Sequence, residues 1–381
     1  MRRRTSIPFS TKPVNEHDIR FLEHSLALAR KGVGLASPNP MVGCVIVRDG
    51  EIVGEGFHQY DLCQHAEIVA LKAAGEKARG ATMYASLEPC NHSGRTGPCT
   101  EAISKAGVAR VVIATRDANP NVHGLGLEQL QIAGVKTELG PADVELAAKE
   151  LNEAFFKWAA SGRPFVTLKS ALTLDGQLAL PRQGKGKKRE WISSEESRAE
   201  VQRMRHASDA LLTGVGTILA DDPLLTDRSG LPRRRKLLRV ILDSQLKLSP
   251  KSRIVTTVEK DLLVFTAASL QSPKALKLQT AGVELVRLPA RRGHVDLKAV
   301  TKELGRREIL SVLLEAGPTL NGSALAAKIV DKLFLFYAPK IAGRTTVPFV
   351  RGDIPAPQIH TLHYRKRDFG GDFAMEAWLR K

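Results

Sequence analysis

The chain has 381 residues, of which 43% are hydrophobic and 25% charged, with a net charge of +17 and four cysteines. That length exceeds one ordinary domain and the apolar content supports packed cores, which excludes global disorder; four cysteines are too few for a disulfide-built scaffold, and no stretch approaches the ~20 apolar residues of a membrane span. The basic charge attracts anionic partners, whereas the low aromatic content, 5%, weighs against a base-stacking nucleic-acid platform.

The basic start, Arg2 to Arg4, has no apolar stretch behind it, so no secretory signal is expected and the chain is placed in a reducing cytoplasm. This run, with Lys185 to Arg189 and Arg233 to Lys236, reads as solvated loop. Apolar spacing at Ile19, Leu22, Leu26 and Ala29 predicts a helix over 17–31, ended by Gly32 and Gly34. Met41 to Val47 and Glu51 to Gly56 flank Asp49-Gly50, a hairpin signal. Helices over 65–78 and 100–106 then alternate with strands over 82–87 and 110–115, the pattern of an α/β layer domain with a partly parallel sheet. One helix is predicted between Pro141 and Gly162. The second half reads as strands over 165–170, 210–212, 238–242, 262–266 and 309–314, with helices over 194–205 and 320–330, again α/β. The expected division is a first domain over 14–145, a linker helix over 146–162 and a second domain over 163–381.

His65, Cys90 and Cys99 are one imidazole and two thiols, the set that a catalytic zinc holds while keeping a fourth position open for water. Glu67 is two residues from His65, badly placed to ligate the same ion but well placed to aim a carboxylate at that water and shuttle its proton. Both cysteines are predicted to lie beside helix N-termini, which favour thiolate. Cys44 reads as a packing residue, and Cys63 as a weak candidate for a fourth ligand that would close the site.

His-x-Glu followed by Pro-Cys is the pattern of zinc nucleobase deaminases, but eight residues here separate Cys90 from Cys99 where that pattern has two. Ser37-Pro38-Asn39-Pro40-Met41-Val42-Gly43, His58 followed by His65-Ala66-Glu67, and Leu87 through Cys99 resemble the deaminase half of the bifunctional riboflavin-biosynthesis RibD family. The resemblance implies a cytidine-deaminase-like α/β/α domain with one zinc per chain held by His65, Cys90 and Cys99, and Glu67 as catalytic proton carrier. It also implies a pyrimidine pocket lined by Asn39 and His58, with Arg95 facing the substrate phosphate.

In the second half, Glu315-Ala316-Gly317-Pro318-Thr319 leads from a strand into a helix, a place where backbone N–H groups converge on an anion. Gly214-Val215-Gly216-Thr217 is a second glycine loop, and neither loop is the Rossmann fingerprint. The ordered set Lys169 to Gly176, Trp191 to Ser193, Gly214 to Thr226, Asp243-Ser244 and Glu315 to Leu320 is similar to the reductase half of the same family, and the two resemblances together span about residues 14 to 379. They imply a dihydrofolate-reductase-like α/β domain that uses NADPH. Contacts to NADPH are expected from Ala171, Trp191, Thr217, Asp221, Ser244, Gly317, Pro318, Thr319, Leu320, Asn321, Gly322 and Ser323. Contacts to the phosphorylated substrate are expected from Arg189, Arg205, Asp221, Leu225, Arg228 and Glu315.

The implied activity is hydrolytic deamination of 2,5-diamino-6-(5-phosphoribosylamino)pyrimidin-4-one, then NADPH-dependent reduction of the ribosyl to the ribityl chain. Expected partners are that phosphorylated pyrimidine and NADPH, with no nucleic acid and no membrane; a homo-oligomer is left open. The rival readings are a zinc deaminase acting on RNA or nucleosides, which the +17 charge favours, and a nonenzymatic zinc-stabilised binding module, which calls for a fourth protein ligand.

Overall fold

A computed structural model describes residues 14–92, 97–118, 124–179, 191–343, 347–352 and 361–380. The chain divides into two units, one made of Met1–Ser161 with Pro232–Arg235 and the other of Gly162–Leu231 with Lys236–Lys381.

In the first unit, a capping box between Asn15 and Asp18 starts α1 (Glu16–Arg30). Asp49 and Gly50, both at positive φ, turn β1 (Gly43–Arg48) into β2 (Glu51–Phe57) as an antiparallel hairpin. The chain continues through α2 (Ala66–Ala74), β3 (Thr82–Ala85), α3 (Cys99–Lys105), β4 (Arg110–Ile113), α4 (Leu125–Ile132) and β5 (Lys136–Leu139). The sheet order is β2-β1-β3-β4-β5, antiparallel as far as β3 and parallel from β3 to β5. Strand alternation sends Cys44 and Ile46 to one core with Ala66, Ala70, Ile103 and Leu127, and Val45 and Val47 to another with Leu22, Leu26, Val144 and Ala148. Both faces are therefore covered by helices, as in an α/β/α sandwich, and Cys44 is a packing residue.

The single helix expected between Pro141 and Gly162 is two, α5 (Ala142–Leu151) and α6 (Glu153–Ser161). Asn152 breaks it: its backbone leaves the helical region, and its side chain accepts from the Met41 N–H and donates to the Met41 carbonyl. The run Arg233 to Lys236 is not simply solvated. Arg234 belongs to the first unit, where its Nε donates to Asp61, its guanidinium lies 3.9 Å from the Tyr60 ring centroid, and its backbone N–H donates to Gly34. The runs Arg2 to Arg4 and Lys185 to Arg189 lie outside the described residues.

The second unit begins with β6 (Phe165–Thr173), α7 (Glu195–Ala207), β7 (Ala210–Gly214), α8 (Val215–Asp221), β8 (Leu238–Leu242), α9 (Arg253–Thr256), β9 (Leu262–Thr266), α10 (Pro273–Thr280) and β10 (Glu284–Arg287). After the small ribbon β11 (Ala290–Arg291) and β12 (His294–Val295) come α11 (Leu297–Arg306), β13 (Ser311–Leu314), α12 (Pro318–Ala326), β14 (Lys332–Ala338), β15 (Thr361–Phe369) and β16 (Asp372–Leu379). The main sheet runs β10-β9-β8-β7-β13-β6-β14-β16-β15. It is parallel from β10 to β14, and β16 and β15 add an antiparallel edge. Chain order reverses beside β7, because β8 to β10 lie on one side and β13, β6 and β14 on the other. In an open parallel sheet a ligand crevice forms beyond the strand C-termini at such a point.

Candidate active sites

Two glycines decide where the helix bearing the first site can sit. A Cβ on Gly54 would stand 2.3 Å from the Ala70 carbonyl oxygen, and one on Gly56 2.3 Å from that of Ala66, so α2 lies directly on β2. That packing fixes His65, the N-cap residue of α2, and Glu67 in its first turn. Cys99 opens α3 as expected, but Cys90 lies on the loop after β3 and not at a helix start. It meets α3 through space: its carbonyl accepts from the Thr100 N–H, and its sulfur lies 3.5 Å from the Cys99 backbone nitrogen.

The His65 Nδ1 atom is 3.1 Å from Cys99 Sγ and 3.4 Å from Cys90 Sγ, and ligand atoms of all three residues lie within 4.8 Å of one another. Among the described residues this is the one cluster of three or more metal-ligating side chains, and Cys63 is not in it. One imidazole and two thiols at these distances suit zinc with a coordination position left for water. Hydrogen bonding from Cys99 holds Cys90 well below the usual thiol range, with His65 adding to the effect; the same bond and burial push Cys99 far up. Glu67 is buried, and burial raises its carboxyl to about 7, against the opposing pull of His65.

Beside the cluster, the His58 and His65 rings meet edge-on, 5.6 Å between centroids. His58 Nδ1 lies 2.9 Å from the Gln64 carbonyl, which can only accept, so Nδ1 carries the proton and Nε2 accepts from Asn39 Nδ2 at 3.1 Å. The structure thus brings together six of the seven residues expected at this site. The seventh, Arg95, lies outside the described residues.

In the second unit, several expected residues lie at or beyond the C-terminal ends of parallel strands: Thr217 and Asp221 after β7, Ser244 after β8, Glu315 after β13 and Ala171 near the end of β6. Gly317 caps α12 without a side-chain hydrogen bond, a Cβ on Gly317 or Gly216 would meet nothing within 4 Å, and among the described residues Asn321 Oδ1 is buried without a hydrogen-bond partner. First-turn N–H groups of α12 without a side-chain cap suit an anion such as a cofactor phosphate, whereas the Asn321 Oδ1, which can only accept, calls for a donor. Pro318 through Ser323 form the first turns of α12. Trp191 is exposed, with the Arg198 guanidinium 5.4 Å from its ring centroid. The Ser244 hydroxyl accepts from the Val295 N–H, the Arg228 N–H donates to Gln202, and Leu225 is buried in the core around Ile218 and Ile241. Arg189 lies outside the described residues.

Sequence reasoning missed Lys169. It lies on β6 with Nζ 3.6 Å from Glu315, whose carboxylate also accepts from Arg205 Nε at 2.8 Å and Nη2 at 3.1 Å. Burial would raise the Glu315 carboxyl, but the two cations together hold it at about 2. The signal was a lysine inside an otherwise half-apolar strand. Glu88 was missed as well: its carboxylate accepts from four backbone N–H groups, and its only signal was its place just before Pro89-Cys90.

The family profile of the RibD C-terminal domain matches residues 164–370, and that of the cytidine and deoxycytidylate deaminase zinc-binding region matches residues 15–115. The riboflavin biosynthesis protein RibD of Aquifex aeolicus is 42% identical over 87% of this chain and 89% of its own length, and that of Escherichia coli is 41% identical over 90% and 94%. Among solved structures, Acinetobacter baumannii RibD superposes with a TM-score of 0.82 at 34% identity, over 96% of this chain and 99% of that one. A Thermotoga maritima protein described as a diaminohydroxyphosphoribosylaminopyrimidine deaminase/5-amino-6-(5-phosphoribosylamino)uracil reductase does so with a TM-score of 0.80 at 34% identity, with the same coverage. With a zinc-binding deaminase unit followed by an NADPH-using reductase unit, this chain belongs to the RibD family of bifunctional riboflavin-biosynthesis enzymes.

Proposed function

We propose that the first unit deaminates 2,5-diamino-6-(5-phosphoribosylamino)pyrimidin-4-one and that the second reduces the ribosyl chain of the product to ribityl with NADPH. The observation that carries the reading is the convergence of His65, Cys90 and Cys99 beside buried Glu67 and the His58–Asn39 pair. His65, Cys90 and Cys99 would hold zinc, which when bound would supply the Lewis acidity that makes a water nucleophilic at neutral pH. Glu67 takes up a proton at its carboxylate and returns it to the departing amine nitrogen. The amide of Asn39 and the His58 ring orient the pyrimidine, and Arg95 takes its phosphate.

In the second unit, Ala171, Trp191, Thr217, Asp221, Ser244 and 317–323 hold NADPH. Arg189, Arg205, Asp221, Leu225, Arg228 and Glu315 contact the phosphorylated ribosyl substrate, its phosphate being met by arginine. The hydride comes from the cofactor, so these residues bind and orient. We further assign 14–145 to the deaminase and 163–381 to the reductase, joined through 146–162. Because Cys90 and Cys99 are free thiols that must stay reduced to act, the enzyme is placed in the cytoplasm, and the low aromatic content favours small-molecule substrates over nucleic acid. No described helix is long and apolar enough to cross a membrane.

The test is Glu67→Gln. Metal analysis should show zinc retained while ammonia release stops, and NADPH oxidation on the deaminated intermediate should continue. Normal ammonia release by the variant overturns the role of Glu67; failure of the wild-type protein to oxidise NADPH with that intermediate overturns the reductase assignment.

A further inference from the structure

Pro89 and Cys90 are held from two sides. In front, the first residues of α3 contact Cys90, through the Thr100 N–H to its carbonyl and the Cys99 backbone nitrogen 3.5 Å from its sulfur. Behind lies the start of α4, and there the side chain of Glu88 does what no residue of α4 does. Gly124 caps that helix without a side chain, and Glu88 Oε1 accepts instead from the Gly126 and Leu127 N–H groups at 3.0 and 3.3 Å. Glu88 Oε2 accepts from the Gly124 N–H at 2.9 Å and the Asp117 N–H at 3.2 Å, while the Glu88 N–H donates to the Thr115 carbonyl after β4. A carboxylate at a helix N-terminus satisfies orphan donors and faces the positive end of the helix dipole. α4 is seated tightly as well, because a Cβ on Gly126 would stand 2.1 Å from the Pro89 carbonyl oxygen.

We propose that Glu88 is a positioning residue for the metal centre: by clamping the start of α4 and the backbone at Asp117 onto its own loop, it fixes the neighbouring Cys90 where its thiolate can share an ion with His65 and Cys99. This rests on the zinc-deaminase reading. Four N–H bonds to one side chain over-determine the loop two residues before the ligand, and outer partners that orient metal ligands are commonly worth 10- to 100-fold in affinity. No atom of Glu88 is assigned to the reaction.

Two variants of the full chain test it by zinc competition against a chromophoric chelator. Glu88→Gln keeps one acceptor oxygen but turns an NH2 group toward two backbone donors; Gly126→Ala keeps every acceptor and pushes α4 off Pro89. Each is expected to weaken zinc about 10- to 100-fold, to recover wild-type ammonia release at saturating zinc, and to keep wild-type NADPH oxidation in the second unit. Wild-type zinc affinity in both variants, or a loss of ammonia release that no zinc concentration restores, overturns the proposal. Absence of zinc binding by the wild-type chain would instead overturn the zinc-deaminase reading.

Discussion

Gly56→Ala is the sharpest perturbation of the first site because it touches none of the reacting groups. The added methyl would stand 2.3 Å from the Ala66 carbonyl oxygen, 2.7 Å from the Val69 Cβ and 2.8 Å from the Ala70 nitrogen, where ordinary contact begins at 3.4 Å. The first turn of α2 must therefore retreat by about 1 Å, and that turn carries Glu67 with His65 at its cap. Overpacking a buried contact costs about 1–3 kcal/mol of stability, which a chain of this size tolerates. A misplacement of about 1 Å at a catalytic group can cost ~100-fold in rate. Ammonia release should fall by about that factor, with NADPH oxidation on the deaminated intermediate unchanged in the same preparation. If the variant deaminates at the wild-type rate while folding normally, the close seating of α2 on β2 does not set the geometry of Glu67, and the reasoning fails.

Glu315→Gln leaves Lys169 and Arg205 facing each other with the carboxylate charge gone, which should cost about 3–5 kcal/mol and abolish NADPH oxidation while ammonia release persists. Its folded carboxyl sits at about 2, below the unfolded value of about 4.3, so the stabilisation is complete at neutral pH and disappears as pH falls toward 2; acid unfolding followed in the second unit checks the sign. In the first unit, Arg110 pairs with both Asp18 and Glu138, whose carboxyls end below their usual range because the arginine and neighbouring hydrogen bonds outweigh the upward push of burial. Arg110→Leu should cost about 3 kcal/mol at neutral pH. The cost should shrink as pH falls and the two carboxyls take up protons, read from hydrogen-exchange protection of α1 and β4.

How much was legible depended on whether the signal lay in a local pattern. The Asp49-Gly50 turn, the alternation in β1 and the spacing of α1 each need only a few neighbouring residues, and each was readable. The His65, Glu67, Cys90, Cys99 set was readable because the chemistry demands those residue types, although spacing alone placed Cys90 at a helix start that it does not occupy. The break at Asn152 was hidden because its cause is the backbone of Met41, far away in sequence. β14, β15 and β16 all escaped notice; β15 is an edge strand exposed along nearly its whole length and carries no hydrophobic period, whereas β14 and β16 are largely buried and were legible in principle. Lys169 and Glu88 were hidden for a related reason: a buried charge is explained by its partners, and those lie on other strands and loops.

The two chemistries rest on one structural rule applied twice. Cys90 follows β3 and Asp117 follows β4, each beyond the C-terminal end of a strand in the parallel part of the first sheet. Val215, Ser244 and Glu315 follow β7, β8 and β13 in the second. Chain leaving a parallel strand must turn before its return helix, and there backbone donors face away from the sheet with no ladder partner. In the first unit such donors, at Asp117 and at the start of α4, are taken up by the Glu88 carboxylate. In the second, among the described residues no side chain caps the start of α12, and the Glu315 carboxylate is turned to Lys169 and Arg205. Turns beyond parallel strands thus supply donors in both sheets: in the first they meet the Glu88 carboxylate, and in the second the start of α12 has no side-chain cap.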